Sequence, residues 1–358
     1  MPSHTAPSVE SHVDDVVIGV DPHKSSWTAV VVDRRQRRLA TIRVEVSRAG
    51  YRRLSRFAAG FPHARWAIEG ARGLGAPLAA WLRADGLEVL DVPAKLARKV
   101  RMLSTGHGRK SDEADAWSVG VAALTTSRLT VAAVDEAAGV LRALTDYRDD
   151  LIRTRTQTAN RLHRLLTQLI PAGHARGLTA DTAAAALRTV RPRTPVGRTL
   201  RRLAVELVAE LRRLDRRIAG VADELSAAVD SSGTTLTSIF GVGTLVAAKL
   251  LARTGPISRF RSGDAFASYA GVAPIEVSSG DVVRHRLSRA GDRQLNYALH
   301  VIAITQIRRD TAGKIYYQRK RATGKSHKEA LRCLKRRLAD IVYRTMIRDT
   351  EASLLAAA

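Results

Sequence analysis

The sequence predicts an α/β N-terminal region with a mixed β-sheet, a long helical, coiled-coil-like middle and a mainly α-helical C-terminal region. Short β-branched runs between charged turns dominate the first region, two long segments with regularly spaced leucines form the second, and apolar helical segments between Gly and Pro turns fill the third. We place the boundaries at 1–15 (a disordered tail), 16–125, 126–230, 231–350 and 351–358 (a second tail).

Charge is the compositional outlier. Lys and Arg number 59 against 34 Asp and Glu, which gives a net charge of +25 and a pI near 11.2. Residues 1–125 hold 19 basic and 13 acidic residues, so +19 of the +25 falls on the remainder. Such an excess indicates a polyanionic partner, and we expect DNA or RNA. The alternative is a generally basic protein without such a partner.

The remaining bulk features predict a cytoplasmic protein. Cys333 is the only cysteine, so no intramolecular disulfide forms. No apolar run reaches membrane-spanning length, and residues 1–15 lack the apolar core of a signal peptide. We therefore expect no membrane contact.

The N-terminal elements follow the order β-β-β-α-β-α-β-α. Val16–Val20, Trp27–Val32 and Leu39–Val46 are β-branched runs typical of an antiparallel meander. Arg65–Ile68 and Leu87–Val92 are the fourth and fifth strands. Helices are predicted at about 48–59, 74–84 and 111–125.

Four carboxylates stand at the ends of these elements. Asp21 follows the first strand and Glu69 the fourth, whereas Asp112 and Asp115 share one face of the last helix, which Ser111 caps. If the first and fourth strands are neighbours, all four converge at one sheet edge. Oxygen ligands favour magnesium or manganese, and two such ions can clamp the oxygens of a phosphoryl transfer. The alternative is that these acids only begin a helix and a turn.

Two further segments flank these acids. His23 and Lys24 are interpreted as turn residues, with phosphate or substrate contact as the second reading. Lys95–Lys110 is basic and carries two glycines, which predicts a mobile loop that leads into the last acidic pair.

The acidic motifs carry a resemblance. Gly19-Val-Asp21-Pro-His-Lys24, Ile68-Glu69-Gly70 and Lys110-Ser-Asp112-Glu-Ala-Asp115-Ala116 resemble, in order and spacing, the DEDD transposases of the IS110 family, which includes the pilin-gene invertases. The region likewise resembles the RuvC-like, RNase H-like nuclease fold. The resemblance implies a metal site made of Asp21, Glu69, Asp112 and Asp115.

The middle region predicts two long helices. The first covers Leu141–Leu169, a loop or hinge with a short Ala-rich helix covers 171–197, and the second covers about 198–229. The second helix has apolar residues alternately four and three apart, which is a heptad seam: Leu207, Leu211, Leu214, Ile218, Val221 and Leu225. An intramolecular stalk and a dimerisation arm that carries basic residues to RNA or DNA are equally compatible with it.

The C-terminal region opens with a glycine turn. Gly241 and Gly243 precede an apolar helix, Thr244–Ala252, in a pattern similar to half of a helix-hairpin-helix. Backbone N–H groups at such a helix start can contact a DNA phosphate. A plain helix start is the alternative.

A polar turn, Pro274–Gly280, offers a hydroxyl beside a glycine. A serine that attacks a phosphodiester needs cationic donors and a proton carrier. The residues that follow supply candidates for both: Arg284, His285, Arg286 and Arg289. From these residues alone, an ordinary Ser-Ser-Gly-Asp turn is the better interpretation.

The same family resemblance extends to this turn. Tyr269-Ala-Gly271-Val-Ala-Pro274, then Ser279-Gly280, then Ser288-Arg-Ala-Gly291-Asp-Arg293-Gln-Leu295 resemble the family's C-terminal domain, in which the serine five residues beyond the proline is the nucleophile. That position is Ser279, although Ser278 is adjacent. Arg293 is a further candidate nucleic-acid contact. Many relatives have Arg where this chain has Asn296, which removes one expected DNA contact.

The resemblance implies a recombinase that is guided by a structured noncoding RNA and that assembles as dimers into a tetramer on donor and target DNA. A site-specific invertase uses the same parts. Two other classes remain: a RuvC-like metal-dependent nuclease with a structural Ser279, and a non-catalytic nucleic-acid-binding protein. Among the basic C-terminal helices, Tyr316 and Tyr317 are interpreted as core residues, with base stacking as the alternative.

Overall fold

The computed structural model describes residues 16–105, 111–126, 129–132, 135–170, 177–277, 285–286, 288 and 291–357. The chain divides after residue 134 into two units, 1–134 and 135–358. Within the described residues, no helix combines the length and the apolar character needed to cross a membrane.

A mixed sheet with the order β3-β2-β1-β4-β5-β6 is the centre of the N-terminal unit. Its strands are β1 (Val17–Pro22), β2 (Ser26–Val32), β3 (Arg38–Glu45), β4 (Arg65–Glu69), β5 (Val89–Val92) and β6 (Thr130–Val131). The first three strands are antiparallel, β1, β4 and β5 are parallel, and β6 is antiparallel to β5. This order and these directions confirm the RNase H-like class, and the pairing of β1 with β4 meets the condition on which the convergence of the acids depended.

Four helices cover the two faces of this sheet: α1 (Arg48–Ala58), α2 (Ala76–Ala84), α3 (Ala94–Thr105) and α4 (Asp112–Thr125). Successive strand residues face opposite sides. Ile18, Val20 and Ile68 therefore pack with residues of α1 and α2, such as Leu54 and Leu78. On the other face, Val17 and Ala67 pack with residues of α3 and α4, such as Ala97 and Val119.

The prediction of a mobile loop at Lys95–Lys110 is wrong for most of that segment. Residues 94–105 form α3, whose Ala97 is buried against the sheet and whose Leu96 and Val100 are partly buried. The basic composition hid an amphipathic helix, because lysine and arginine occupy its solvent side. Residues 106–110 lie outside the described residues.

The second unit begins with a helical hairpin. Its helices are α5 (Glu136–Leu169), α6 (Ala180–Thr189) and α7 (Pro195–Ser231). Tyr147 near the start of α5 contacts Arg217, whereas Leu162 near its end packs with Val208, so α5 and α7 run in opposite directions. The heptad seam of α7 therefore packs within this chain. The predicted Ala-rich helix is α6.

The helices of the C-terminal region build a second core. They are α8 (Thr244–Thr254), α9 (Gly263–Tyr269), α10 (Arg293–Ile307), α11 (Ala312–Ala322) and α12 (His327–Ala357). Phe266, Leu299 and Leu338 are fully buried there together with Leu141 and Leu225 of the hairpin. Lys249 of α8 and Asp149 of α5 form an ion pair at 2.8 Å that joins the two parts of the unit.

Two details differ from the sequence prediction. A short antiparallel ribbon, β7 (Ile275–Glu276) with β8 (His285–Arg286), frames the segment predicted as a simple polar turn. In addition, α12 continues through 351–357, where a tail was predicted. Alanine and leucine are strong helix formers, so the last residues extend the helix without burial.

Candidate active site

The ends of β1 and β4 place two of the predicted carboxylates side by side. Val20 pairs with Ile68 in parallel register, so Asp21 and Glu69 each stand one residue beyond this pair. Both lie at positions that alternate to the face covered by α4. After Glu69 the chain turns through Gly70 at φ 56°, and the Ala71 N–H donates to the Asp91 carboxylate at 2.9 Å.

Close helix–sheet packing brings Asp112 to the end of β1, whereas Asp115 and Glu69 stay outside the group of described side chains that converge with Asp21. A Cβ on Gly19 of β1 would lie 2.3 Å from the Ala116 carbonyl oxygen and 2.4 Å from the Gly120 nitrogen. Only glycine at this position lets α4 approach the strand so closely. The first turn of α4, which carries Asp112 and Asp115, thereby reaches the end of β1. Ser111 caps this helix as predicted, because its hydroxyl accepts from the Ala114 N–H at 3.1 Å.

A carboxylate–imidazole–carboxylate cluster results. His23 Nε2 lies 3.1 Å from Asp21 Oδ2 and 3.3 Å from Asp112 Oδ1. The β1–β2 turn holds this imidazole at the sheet edge, since the His23 N–H donates to the Ser26 carbonyl at 2.8 Å. Although both atoms are close, the Asp21 Oδ2 and His23 Nε2 atoms are buried and neither has a well-aligned hydrogen-bond partner in the described part of the chain. The prediction that His23 is only a turn residue understated its position.

Two arginines form ion pairs with the carboxylates of α4. Arg43 Nη1 lies 3.1 Å from Asp112 Oδ2, and Arg101 forms an ion pair with the buried Asp115. Sequence reasoning missed both. Arg43 faces Thr28 of β2, which in turn faces Asp21 of β1, so the three residues form one row across the sheet. The meander register would have found Arg43, whereas Arg101 required the recognition of α3.

Burial dominates the electrostatics of Asp21. Loss of solvent raises the pKa of its carboxyl, the neighbouring His23 opposes this change, and the charges of Asp115 and Asp112 raise the pKa further. A cation beside these groups would relieve both the burial cost and the repulsion. The oxygen donors, and an Asp21 Oδ2 that has no aligned hydrogen-bond donor among the described residues, therefore fit a divalent metal ion. Asp21, Asp112 and His23 are the described side chains that converge closely enough to hold one.

The serine half of the prediction falls mostly outside the described residues. This applies to Ser278, Ser279, Gly280, Arg284 and Arg289. Arg286 lies on β8 and is exposed, and His285 precedes it on the same strand. Arg293 is the first residue of α10, whose cap is Asp292.

Asn296 has an internal role. Its amide nitrogen donates to the carbonyls of Ala270 and Gly271, each at 3.0 Å, and its oxygen accepts from Lys335. The side chain thus ties the glycine turn before Pro274 to α12. Burial lowers the pKa of Lys335 to about 8.

The glycine turn before α8 has the geometry that its sequence indicates. Gly241 has φ 89°, a backbone conformation that glycine adopts readily, and Gly243 is the N-cap of α8 without a side-chain hydrogen bond. The start of this helix therefore offers backbone N–H groups. Tyr316 and Tyr317 pack partly buried against the second core, which agrees with the core interpretation.

Two family models match separate parts of the chain. The sequence model of the DEDD transposase family of IS110 matches residues 18–171. The sequence model of the transposase IS116/IS110/IS902 family matches residues 233–318. The chain is 30% identical to a 43.6 kDa protein of insertion element IS110 from Streptomyces coelicolor, over 75% of this chain and 77% of that protein. It is 28% identical to a 44.8 kDa protein of insertion element IS116 from Streptomyces clavuligerus, over 94% and 95%. Among solved structures, it is similar to Thermus thermophilus RuvC in complex with a Holliday junction substrate, with 19% identity over 33% of this chain and 99% of that one, and a TM-score of 0.27.

An RNase H-like sheet with acidic residues at the ends of its central strands defines a class of enzymes that break and join nucleic-acid strands. Within that class, the chain belongs to the IS110 family of insertion-element transposases.

Proposed function

We propose that this transposase cuts and rejoins DNA through a covalent bond between Ser279 and a DNA phosphate, assisted by a metal ion at Asp21, Glu69, Asp112 and Asp115. The observation that carries the proposal is the convergence of Asp21 and Asp112 at one sheet edge, where the buried Asp21 Oδ2 lies 3.1 Å from His23 Nε2 but has no aligned hydrogen-bond donor among the described residues. Magnesium or manganese suits the oxygen donors.

The chemical step conserves the phosphodiester energy. The Ser279 oxygen bonds to phosphorus, the bond from phosphorus to the 3′ oxygen breaks, and the 3′ oxygen leaves with a proton as a free hydroxyl. The serine proton passes to a nearby base, for which His285 is the candidate. A new 3′-hydroxyl then attacks the same phosphorus and releases the serine, so rejoining needs no ATP.

Cationic side chains and backbone N–H groups of the chain would stabilise the negative charge that develops on the phosphoryl oxygens. Arg284, Arg286, Arg289 and Arg293 are the candidate donors to the phosphoryl oxygens, and the backbone at Gly241 and Gly243 is a candidate phosphate contact. A bound divalent ion would lower the charge on the reacting phosphate or help to deprotonate the attacking group.

Two serine variants test the nucleophile. Ser279→Ala should abolish strand exchange and the denaturation-resistant protein–DNA adduct, whereas the matched Ser278→Ala should retain both. Peptide mapping of the trapped adduct should identify residue 279. If Ser279→Ala still exchanges strands while Asp21→Asn abolishes cleavage, the serine mechanism is wrong and the carboxylate site performs the cleavage.

We also propose a structured guide RNA and assembly into dimers and tetramers. Family membership and the +19 carried by residues 126–358 support these partners. Purification without nuclease should recover a discrete RNA encoded near the gene, and light scattering with DNA bound should give a tetramer. Sequencing the DNA that flanks the gene separates a transposase from an invertase, because only a mobile element has its own ends.

A further inference from the structure

We infer that His23 is a nitrogen ligand of the divalent metal ion at the carboxylate site, so that the site binds Mn²⁺ in preference to Mg²⁺. This inference rests on the proposed metal site and adds to its acidic ligands a side chain that the DEDD pattern does not contain.

The spacing of the donor atoms carries the inference. His23 Nε2 stands 3.1 Å from one carboxylate oxygen and 3.3 Å from another, which belong to Asp21 and Asp112. In an octahedral site with bonds of about 2.1 Å, adjacent ligand atoms are about 3 Å apart. His23 Nε2 therefore has, from each of the two oxygens, the separation expected of neighbouring ligands around one ion, and the ligand atoms of the three residues all lie within 4.8 Å of one another.

The absence of better partners is the second observation. Asp21 is only 7% exposed, and its Oδ2 atom and the His23 Nε2 atom have no aligned hydrogen-bond partner among the described residues. Buried polar atoms are normally satisfied. An ion held between them would satisfy both atoms, and the His23 side chain is 40% exposed, so solvent reaches this side of the cluster.

A nitrogen donor changes which metal fits best. Mg²⁺ binds oxygen donors almost exclusively. An imidazole nitrogen raises the affinity for first-row transition metals, and among these Mn²⁺ is bound most weakly. A site with His23 should therefore discriminate against Mg²⁺ more strongly than carboxylates alone.

Pulsed electron paramagnetic resonance of Mn²⁺ bound to the untagged full-length chain tests the inference. We expect a nitrogen coupling that changes when histidine is labelled with ¹⁵N, that is lost in His23→Gln and that persists in Lys24→Gln. Lys24 is the exposed neighbour in the same turn and provides the matched control. Titrations should show an affinity for Mn²⁺ about 10-fold weaker in His23→Gln, with a much smaller change for Mg²⁺. Circular dichroism verifies that both variants fold.

The outcomes separate the ligand from the site. One outcome overturns the inference but leaves the proposed metal site standing. In that outcome Mn²⁺ binds the parent chain but not Asp21→Asn, no nitrogen coupling is seen, and His23→Gln binds Mn²⁺ with unchanged affinity. A charged imidazole that merely pairs with the carboxylates gives this result. Mn²⁺ binding that is insensitive to Asp21→Asn and Asp112→Asn overturns the metal site and the inference together.

Discussion

Gly19→Ala tests whether the contact between β1 and α4 assembles the carboxylate site. The added Cβ would lie 2.3 Å from the Ala116 carbonyl oxygen, whereas real Cβ atoms essentially never come within 3.0 Å. Helix α4 must then retreat by at least about 0.7 Å, since the atoms it meets are backbone. Overpacking of this kind costs about 1–3 kcal/mol. A displacement approaching 1 Å between catalytic groups costs about 10²-fold in rate.

Hydrogen exchange of residues 112–125 measures this cost locally. We expect about 5- to 150-fold less protection in Gly19→Ala, which corresponds to about 1–3 kcal/mol, together with weaker Mn²⁺ binding because Asp112 moves away from Asp21. Gly60→Ala is the matched control, since its Cβ would meet only the Phe57 carbonyl oxygen at 3.5 Å. If the hydrogen-exchange protection of α4 and the affinity for Mn²⁺ are the same in Gly19→Ala as in the Gly60→Ala control, close packing does not position the site.

Three further predictions concern charge. Folding lowers the pKa of Lys335 from 10.5 to about 8, so between these values the unfolded state binds more protons than the folded state. The free energy of unfolding should therefore rise by about 1 kcal/mol between pH 7 and 9. Denaturant titrations should show this rise in Lys328→Met, an exposed control, and not in Lys335→Met. Asp149→Ala leaves the buried Lys249 unpaired and should lower stability by about 3 kcal/mol, whereas Asp150→Ala, at an exposed ion pair, should cost less than about 1 kcal/mol in the same titration. Duplex DNA binding should weaken linearly in log–log plots against salt, and a flat plot would exclude phosphate contacts as its source.

The strand pattern of the N-terminal unit was predictable because its signals are local. Runs such as Val16–Val20 and Trp27–Val32 are β-branched and short, and the structure has β1 and β2 there. The start of α4 was equally local, since Ser111 and the acids after it form a helix N-terminus. In contrast, α3 was missed because its lysines and arginines concealed a narrow apolar stripe.

The sequence by itself determined the basic character of the chain, the succession of its first five strands along the chain and the four acids at the ends of their elements, but not the sixth strand at Thr130–Val131. These properties depend on residue type and on neighbours along the chain. Only the tertiary structure decided that His23 lies between Asp21 and Asp112, and that Arg43 and Arg101 pair with the acids of α4. Those contacts depend on strand register and on the close approach of α4 at Gly19. Pairings between residues far apart in the chain leave no local pattern, so side chains that meet only after folding could not be predicted from their neighbours.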